Sequence, residues 1–475
     1  MIVPKVTSCG RYVLLIVGES TYGTQIYYAD LHDLGADRIS TKLAFKNLIN
    51  NFDSEYTYIT NEGTVFTFLT DHRAPNNKLI SIDIADPTLE QKDLVPESST
   101  DILRGVACVA NDKLLLTYVQ DVKTALYIHD IKTGSRLRQY PVTTGTINAI
   151  SGDRKYNEFF LQVTSFFIPT IIYRVQVHAD YETTEVFYQS TVKNFDASQF
   201  ETKQVFYRSK DGTRVPMFIT HRKGVRLDGS SPTYLYGYGG FGHIITPHFS
   251  VFAAFFLQHF GGIYAVANIR GGGEYGETWH RDGKILNKQN TFDDFQSAAE
   301  FLIKEGYTSS SKLIVNGASN GGLTVAASCN QRPDLFQCCI PQVGVLDMLR
   351  FHKFTVGYAW MSDYGNPENK DHFENLLKFS PVHNIPDMNG TTNQYPATLV
   401  LTGDHDDRVV PLHSYKLISE LQYKIGSNPS QKNPLMILIT TKTGHGGGKP
   451  TAKQVEEMAD IAAFIHKTVD LDWID

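Results

Sequence analysis

Short apolar runs separated by polar residues recur through the first 192 residues, which read as β-strands throughout. The runs come in pairs, at 11–17 and 26–31, 63–70 and 79–84, 112–119 and 126–131, and 157–164 and 171–177. Asp30, Asp83 and Asp130 close the second run of the first three pairs, at a spacing of about 50 residues. A repeat of that length with several short strands per unit marks propeller blades, and four units fit. The alternative is a β-sandwich in which the spacing is accidental.

Past Asp196 the pattern changes, and strand-like runs alternate with helical ones, as in an α/β sheet. Strands are predicted at 233–238, 262–269, 313–315, 397–402 and 435–440. A helix is predicted at 291–305, with Phe292, Phe295, Ala298, Ala299, Leu302 and Ile303 on one face. Another helix should begin at 321. The long apolar stretch 249–269 is broken by Gln258-His259 and Gly261-Gly262, which reads as a buried helix followed by a buried strand and not as a membrane span. The run Tyr12 to Val17 is short and no small-residue cleavage site follows, so it reads as a strand and not a leader. The expected organisation is a partial β-propeller over 1–192 and an α/β-hydrolase domain over 193–475.

At 475 residues and 41% apolar content, the chain can bury two sizeable cores. Its net charge of −6 provides no basic footprint for nucleic acid or an anionic membrane. The five cysteines, Cys9, Cys108, Cys329, Cys338 and Cys339, have no zinc-site or disulfide spacing. They read as buried free thiols of a reducing, cytoplasmic compartment, with Cys338 and Cys339 as core and surface neighbours.

The candidate chemistry lies in the last third. Gly317-Ala318-Ser319-Asn320-Gly321 fits G-x-S-x-G, a nucleophile exposed on a sharp strand-to-helix turn. Asp404-His405-Asp406-Asp407-Arg408 and Gly444-His445-Gly446 follow in turn, each after a predicted strand. Serine, acid, histidine is the chain order of α/β-hydrolases. Asp404, Asp406 and Asp407 compete for the acid, and the pattern does not separate them. His405 and His413 are rival bases, but both follow the acid strand, so His445 is preferred. The N–H of Asn320 is one oxyanion donor. Tyr238, in Tyr236-Gly237-Tyr238-Gly239-Gly240-Phe241-Gly242, either supplies a second donor or only packs. Arg270-Gly271-Gly272-Gly273-Glu274-Tyr275-Gly276 lacks the Lys-Ser/Thr ending of a phosphate loop and reads as structural.

These words, with Ala265 to Glu277 and Asp404 to Pro411, give residues from about 193 onward a close resemblance to the catalytic domain of the prolyl oligopeptidase family of S9 serine peptidases. The resemblance implies Asp406 as the acid, Tyr238 as the oxyanion tyrosine, and a proline pocket of Phe241, Val345, Trp360, Tyr364 and Val409. It further implies that Asn320 and Arg408 bind substrate carbonyls. The activity implied is cleavage of short peptides after proline, without metal or organic cofactor. A flat, apolar proline ring suits an aromatic pocket, whereas basic side chains would need carboxylates there. The first half resembles only the later blades of that family's seven-bladed propeller. A short form or an incomplete sequence is therefore expected, with apolar surface bared and open sheet edges prone to self-association. A shortened, largely inactive chain that acts by binding is the alternative reading.

Overall fold

The computed structural model describes residues 1–19, 22–34, 42–142, 145–388 and 393–474. They form two compact units, one of residues 1–165, 170–190 and 275–278, the other of 166–169, 191–274 and 279–475. No helix among the described residues is long and apolar enough to cross a membrane.

The first unit contains four antiparallel sheets of four strands each, following one another along the chain as propeller blades do. The eight strands predicted from the paired runs are the two inner strands of each sheet. They are Tyr12–Gly18 with Thr24–Asp30, Val65–Thr70 with Lys78–Asp83, Lys113–Gln120 with Lys123–Asp130, and Glu158–Thr164 with Ile171–Val177. The recurring aspartates have a local cause. Asp30, Asp83 and Asp130 each accept, through Oδ1, the N–H two residues on, from His32, Ala85 and Lys132, all at 3.0 Å. Each thereby closes its strand with a side-chain-capped turn.

Cores in this unit are shared between successive sheets. Leu14 and Ile26 of the first pack with Phe66, Phe68 and Ile80 of the second. Leu79 and Val95 of the second pack with Leu114 and Leu116 of the third. Leu115, Leu126 and Ile128 of the third pack with Phe159 and Val175 of the fourth. Neighbouring residues of Lys113–Gln120 thus serve opposite neighbours, as the pleat requires. At the two ends of the series the burial thins. Ile2, Val3 and Val6 on one edge strand are exposed, as are Val186, Phe187 and Tyr188 on another.

The second unit is built on one eight-stranded sheet. Numbered within this unit, its strands are β1 (Phe200–Arg208), β2 (Arg214–Arg222), β3 (Thr233–Gly237), β4 (Ile263–Ala267), β5 (Leu313–Ala318), β6 (Cys338–Gln342), β7 (Ala397–Gly403) and β8 (Leu435–Thr440). Their spatial order is β1-β2-β4-β3-β5-β6-β7-β8, antiparallel through the β2–β4 pair and parallel from there on. The stretch 249–269 is the helix Val251–His259 followed by β4, as its broken apolar pattern predicts. The helix predicted at 291–305 is Gln289–Lys304, with Phe292, Phe295, Ala298, Ala299 and Leu302 buried.

Two expectations about the cysteines need correcting. Cys338 and Cys339 are both buried, because helices Asn320–Gln331 and Thr451–Val469 both pack against β6. A central parallel strand has no solvent face to give one of the thiols. Cys9, by contrast, is exposed. The glycine-rich segment after β4 is anchored, not open. The Arg270 guanidinium bonds buried Asp294 at 2.6 Å, Asp211 at 2.6 Å and Ser209 at 3.3 Å.

Candidate active site

Ser319 sits between the end of β5 and the helix Asn320–Gln331, with φ 58° and ψ −116°. That conformation is strained for a residue with a Cβ and holds the hydroxyl up on the turn. The glycines around it permit the close approach. A Cβ on Gly317 would lie 2.3 Å from Gly321 O, and one on Gly321 would lie 2.6 Å from Gly237 O. The N–H of Ser319 donates to Gln342 O at 2.8 Å, tying the turn to the end of β6.

Asp406 and His445 meet in the loops after β7 and β8, at the same carboxyl end of the parallel strands as Ser319. His445 Nδ1 lies 2.7 Å from Asp406 Oδ2. Asp406 Oδ1 accepts the N–H groups of Arg408 at 3.0 Å and Val409 at 2.9 Å. The carboxylate is fully buried, so its three bonds replace the water it has lost. The two loops are laced together by His405 N–H donating to Thr443 O at 3.0 Å. A Cβ on Gly403 would lie 2.4 Å from Thr443 O, so the approach depends on glycine there. No hydrogen bond joins the Ser319 hydroxyl to His445 in this structure; such bonds are often long before substrate arrives.

The rival groups are disposed otherwise. Asp404 bonds His405 at 2.7 Å, and the His405 side chain is 70% exposed. Asp407 is exposed. His413 is buried, and its Nδ1 accepts the N–H groups of Leu346 at 3.3 Å and Asp347 at 3.0 Å. Burial pushes its pKa down to about 4, so it is a neutral acceptor at neutral pH.

Tyr238 follows β3. Burial raises its phenol above the ordinary value, opposed by the nearby charge of Arg408, so the O–H stays protonated and able to donate. Its carbonyl accepts Asn320 Nδ2 at 2.5 Å and Thr324 Oγ1 at 2.9 Å. The Asn320 amide oxygen accepts from the Tyr364 hydroxyl at 3.0 Å. Both ends of the Asn320 side chain are therefore used inside the protein. Its backbone N–H, at the first turn of a helix, is the group left to donate. Arg408 is exposed, and its carbonyl accepts from Thr355 Oγ1 at 3.2 Å.

Phe241, Val345, Trp360, Tyr364 and Val409 all belong to one apolar cluster, although 168 positions separate the first from the last. Val345, Tyr364 and Val409 are buried, and Phe241 and Trp360 are half-buried. Phe241 packs edge-on against Tyr364 with centroids 5.4 Å apart, and Trp360 stacks on Phe351 at 6.4 Å. Sequence reasoning missed four residues here. Phe351 backs the indole, and Thr324 holds Tyr238. Lys288 and Asp363 hold the next residues of that loop, with Lys288 Nζ to Gly239 O at 2.7 Å and Phe241 N to Asp363 Oδ1 at 3.1 Å.

The sheet order, the strained serine and the paired acid and histidine define an α/β-hydrolase that carries a propeller-type domain. Residues 247–472 match the model of the prolyl oligopeptidase family, and residues 1–187 match that of the prolyl oligopeptidase N-terminal beta-propeller domain. The chain belongs to the prolyl oligopeptidase family. It is 43% identical over 450 residues to the prolyl endopeptidase of Dictyostelium discoideum, covering 92% of this chain and 58% of that protein. It is 40% identical over 475 residues to prolyl oligopeptidase A of Amanita bisporigera, covering 99% of this chain and 61% of that one. A solved structure of a variant of prolyl oligopeptidase B from Galerina marginata, bound to a 35mer hydrolysis and macrocyclization substrate, superposes with a TM-score of 0.92. Identity there is 36%, over 100% of this chain and 66% of that one. The chain thus spans about three fifths of the length of the curated relatives it matches.

Proposed function

We propose that this chain is a serine endopeptidase that hydrolyses short peptides on the carboxyl side of proline. The observation that carries the reading is the buried Asp406–His445 hydrogen bond of 2.7 Å, at the same end of the sheet as the strained Ser319. In this reading Ser319 Oγ attacks the scissile carbonyl carbon and His445 Nε2 takes its proton. Asp406 holds the imidazole in the tautomer that leaves Nε2 free and stabilises the imidazolium. Tyr238 O–H and the Asn320 N–H donate to the oxyanion. The carbon–nitrogen bond then breaks as His445 protonates the leaving amine, and water attacks the acyl-enzyme by the reverse path.

Specificity for proline rests on the apolar cluster of Phe241, Val345, Trp360, Tyr364 and Val409, where a compact ring can lie against the indole. Arg408, exposed at the rim, supplies a donor for a substrate carbonyl. The names of the relatives support the same substrate class.

The test is to label the purified chain with a fluorophosphonate and to assay a proline-based chromogenic peptide beside it. Labelling and turnover should both occur, and Ser319→Ala should remove both, with a loss on the order of 10⁴-fold or more. Turnover that persists in Ser319→Ala would exclude this mechanism.

A further inference from the structure

Four side chains grip the backbone just after β3. Asn320 and Thr324 hold Tyr238 O, Lys288 holds Gly239 O at 2.7 Å, and Asp363 holds Phe241 N–H at 3.1 Å. The gripped segment is one that resists its own conformation. Gly239 has φ 66° and Phe241 φ 55°, and the second is unfavourable for a residue with a Cβ. Such a backbone persists only where its surroundings over-determine it. The segment also carries two groups of the proposed reaction, the Tyr238 hydroxyl and the Phe241 ring.

Lys288 and Asp363 are buried charges. The Lys288 side chain is completely buried, which is rare for an ammonium unless it is paired. Facing it are Asp363, with Oδ2 at 4.0 Å, the Tyr364 ring, with its centroid at 5.6 Å, and the Gly239 carbonyl. His280 lies beyond the carboxylate, its Nε2 2.5 Å from Asp363 Oδ1. Asp363 Oδ2 is itself buried and has no hydrogen-bond partner, so the ammonium at 4.0 Å balances it through space.

We infer that Lys288 is a positioning residue for this reaction: through Gly239 O and Asp363 it holds the Tyr238–Phe241 segment so that oxyanion donor and apolar pocket stay in register, and losing its proton loosens that hold. The inference rests on the assignment of Tyr238 to the oxyanion under the proposed function. Burial brings the Lys288 pKa down to about 8, against the pull of Asp363. The ammonium is therefore charged below that pH and neutral above it. The neutral amine no longer balances the carboxylate, so the reaction should decline as pH rises through about 8.

The test measures the second-order rate of fluorophosphonate labelling of the full chain across about pH 6 to 10, a range that brackets this titration. It compares the parent, Lys288→Met, Tyr238→Phe and the double variant, with folding checked by circular dichroism. Lys288→Met should slow labelling by about tenfold to a hundredfold, the scale of a misplaced catalytic group. It should abolish the alkaline decline, and it should add little once Tyr238 is already phenylalanine. Equal losses in the two backgrounds, or an alkaline decline that survives Lys288→Met, would overturn the inference. If Lys288→Met does not fold, Asp363→Asn carries the same test, because it removes the paired charge and keeps an acceptor for Phe241 N–H. A parent that does not label overturns the proposed function and this inference with it. A parent that labels, with additive losses, overturns this inference alone.

Discussion

Replacing Asp406 with asparagine removes one charge and tests the acid directly. The carboxylate accepts three hydrogen bonds, one from His445 through Oδ2 and two from backbone N–H groups through Oδ1. Asparagine offers one oxygen and one NH₂. If its oxygen faces the backbone, both of those bonds survive and the NH₂ faces His445 Nδ1. If the amide turns over, two buried N–H donors face an NH₂, and each unsatisfied group costs about 1–3 kcal/mol. The first arrangement should win, so the fold should hold and the damage should fall on the histidine. Its Nδ1 must then accept, which forces the proton onto Nε2 and blocks proton transfer from Ser319. The corresponding loss is about 10⁴-fold in kcat, or roughly 5.5 kcal/mol of barrier at 1.36 kcal/mol per tenfold. The assay is fluorophosphonate labelling rate and proline-peptide turnover, with a thermal melt to show that the variant folds. Asp404→Asn is the control, since its carboxylate bonds an exposed histidine. A folded Asp406→Asn within tenfold of the parent, or an Asp404→Asn equally impaired, would refute the reasoning.

Two further outcomes follow from the site. Trp360→Ala should weaken proline substrates by roughly 1–3 kcal/mol in kcat/KM and an unselective ester much less; equal losses on both would make the indole a support of the fold. His413 has a pKa lowered by burial to about 4, so between that pH and about 6.5 the unfolded chain binds a proton that the folded chain refuses. Stability is therefore complete above about 6.5 and falls as pH drops toward 4, by on the order of 3 kcal/mol for this group. His413→Gln should flatten that slope in melts recorded from about pH 4 to 7, and an unchanged slope would assign it to other groups.

What was legible in the sequence is what has a period or a motif. The inner blade strands stand out as apolar runs because both of their faces are buried against neighbours, as Leu114, Leu115 and Leu116 show. The outer strands Ile2–Val6, Gln91–Val95 and Glu182–Gln189 hid because they lack that constraint. Glu182–Gln189 is exposed along nearly all of its length, so nothing in its polarity separates it from a loop. The serine, acid and histidine words stood out through their glycines, and those of the first two, Gly317, Gly321 and Gly403, each face a backbone oxygen closer than a Cβ allows. The choice among Asp404, Asp406 and Asp407 was not readable from pattern, because it depends on which carboxylate the fold buries. Lys288 gave no signal either. A buried lysine looks like any surface lysine until its partners are known, and Asp363 lies 75 positions away along the chain. The Asn320 side-chain bonds were equally silent, because their partners, Tyr238 O and Tyr364, come from distant segments.

The sharing of cores between successive sheets has a consequence for how such a chain can change in length. The cores of the first unit are not confined to single sheets, because part of each belongs to the sheet before or after it. Removing part of a sheet would strand apolar residues on both of its neighbours. Adding or removing a whole sheet re-creates the same kind of junction, provided that the residues at the new seam are of similar shape. Stability then grows with the number of junctions, as in a one-dimensional array. Insertions and deletions of about 50 residues, one full repeat, are the length changes this architecture tolerates best, and shorter ones should be confined to the turns.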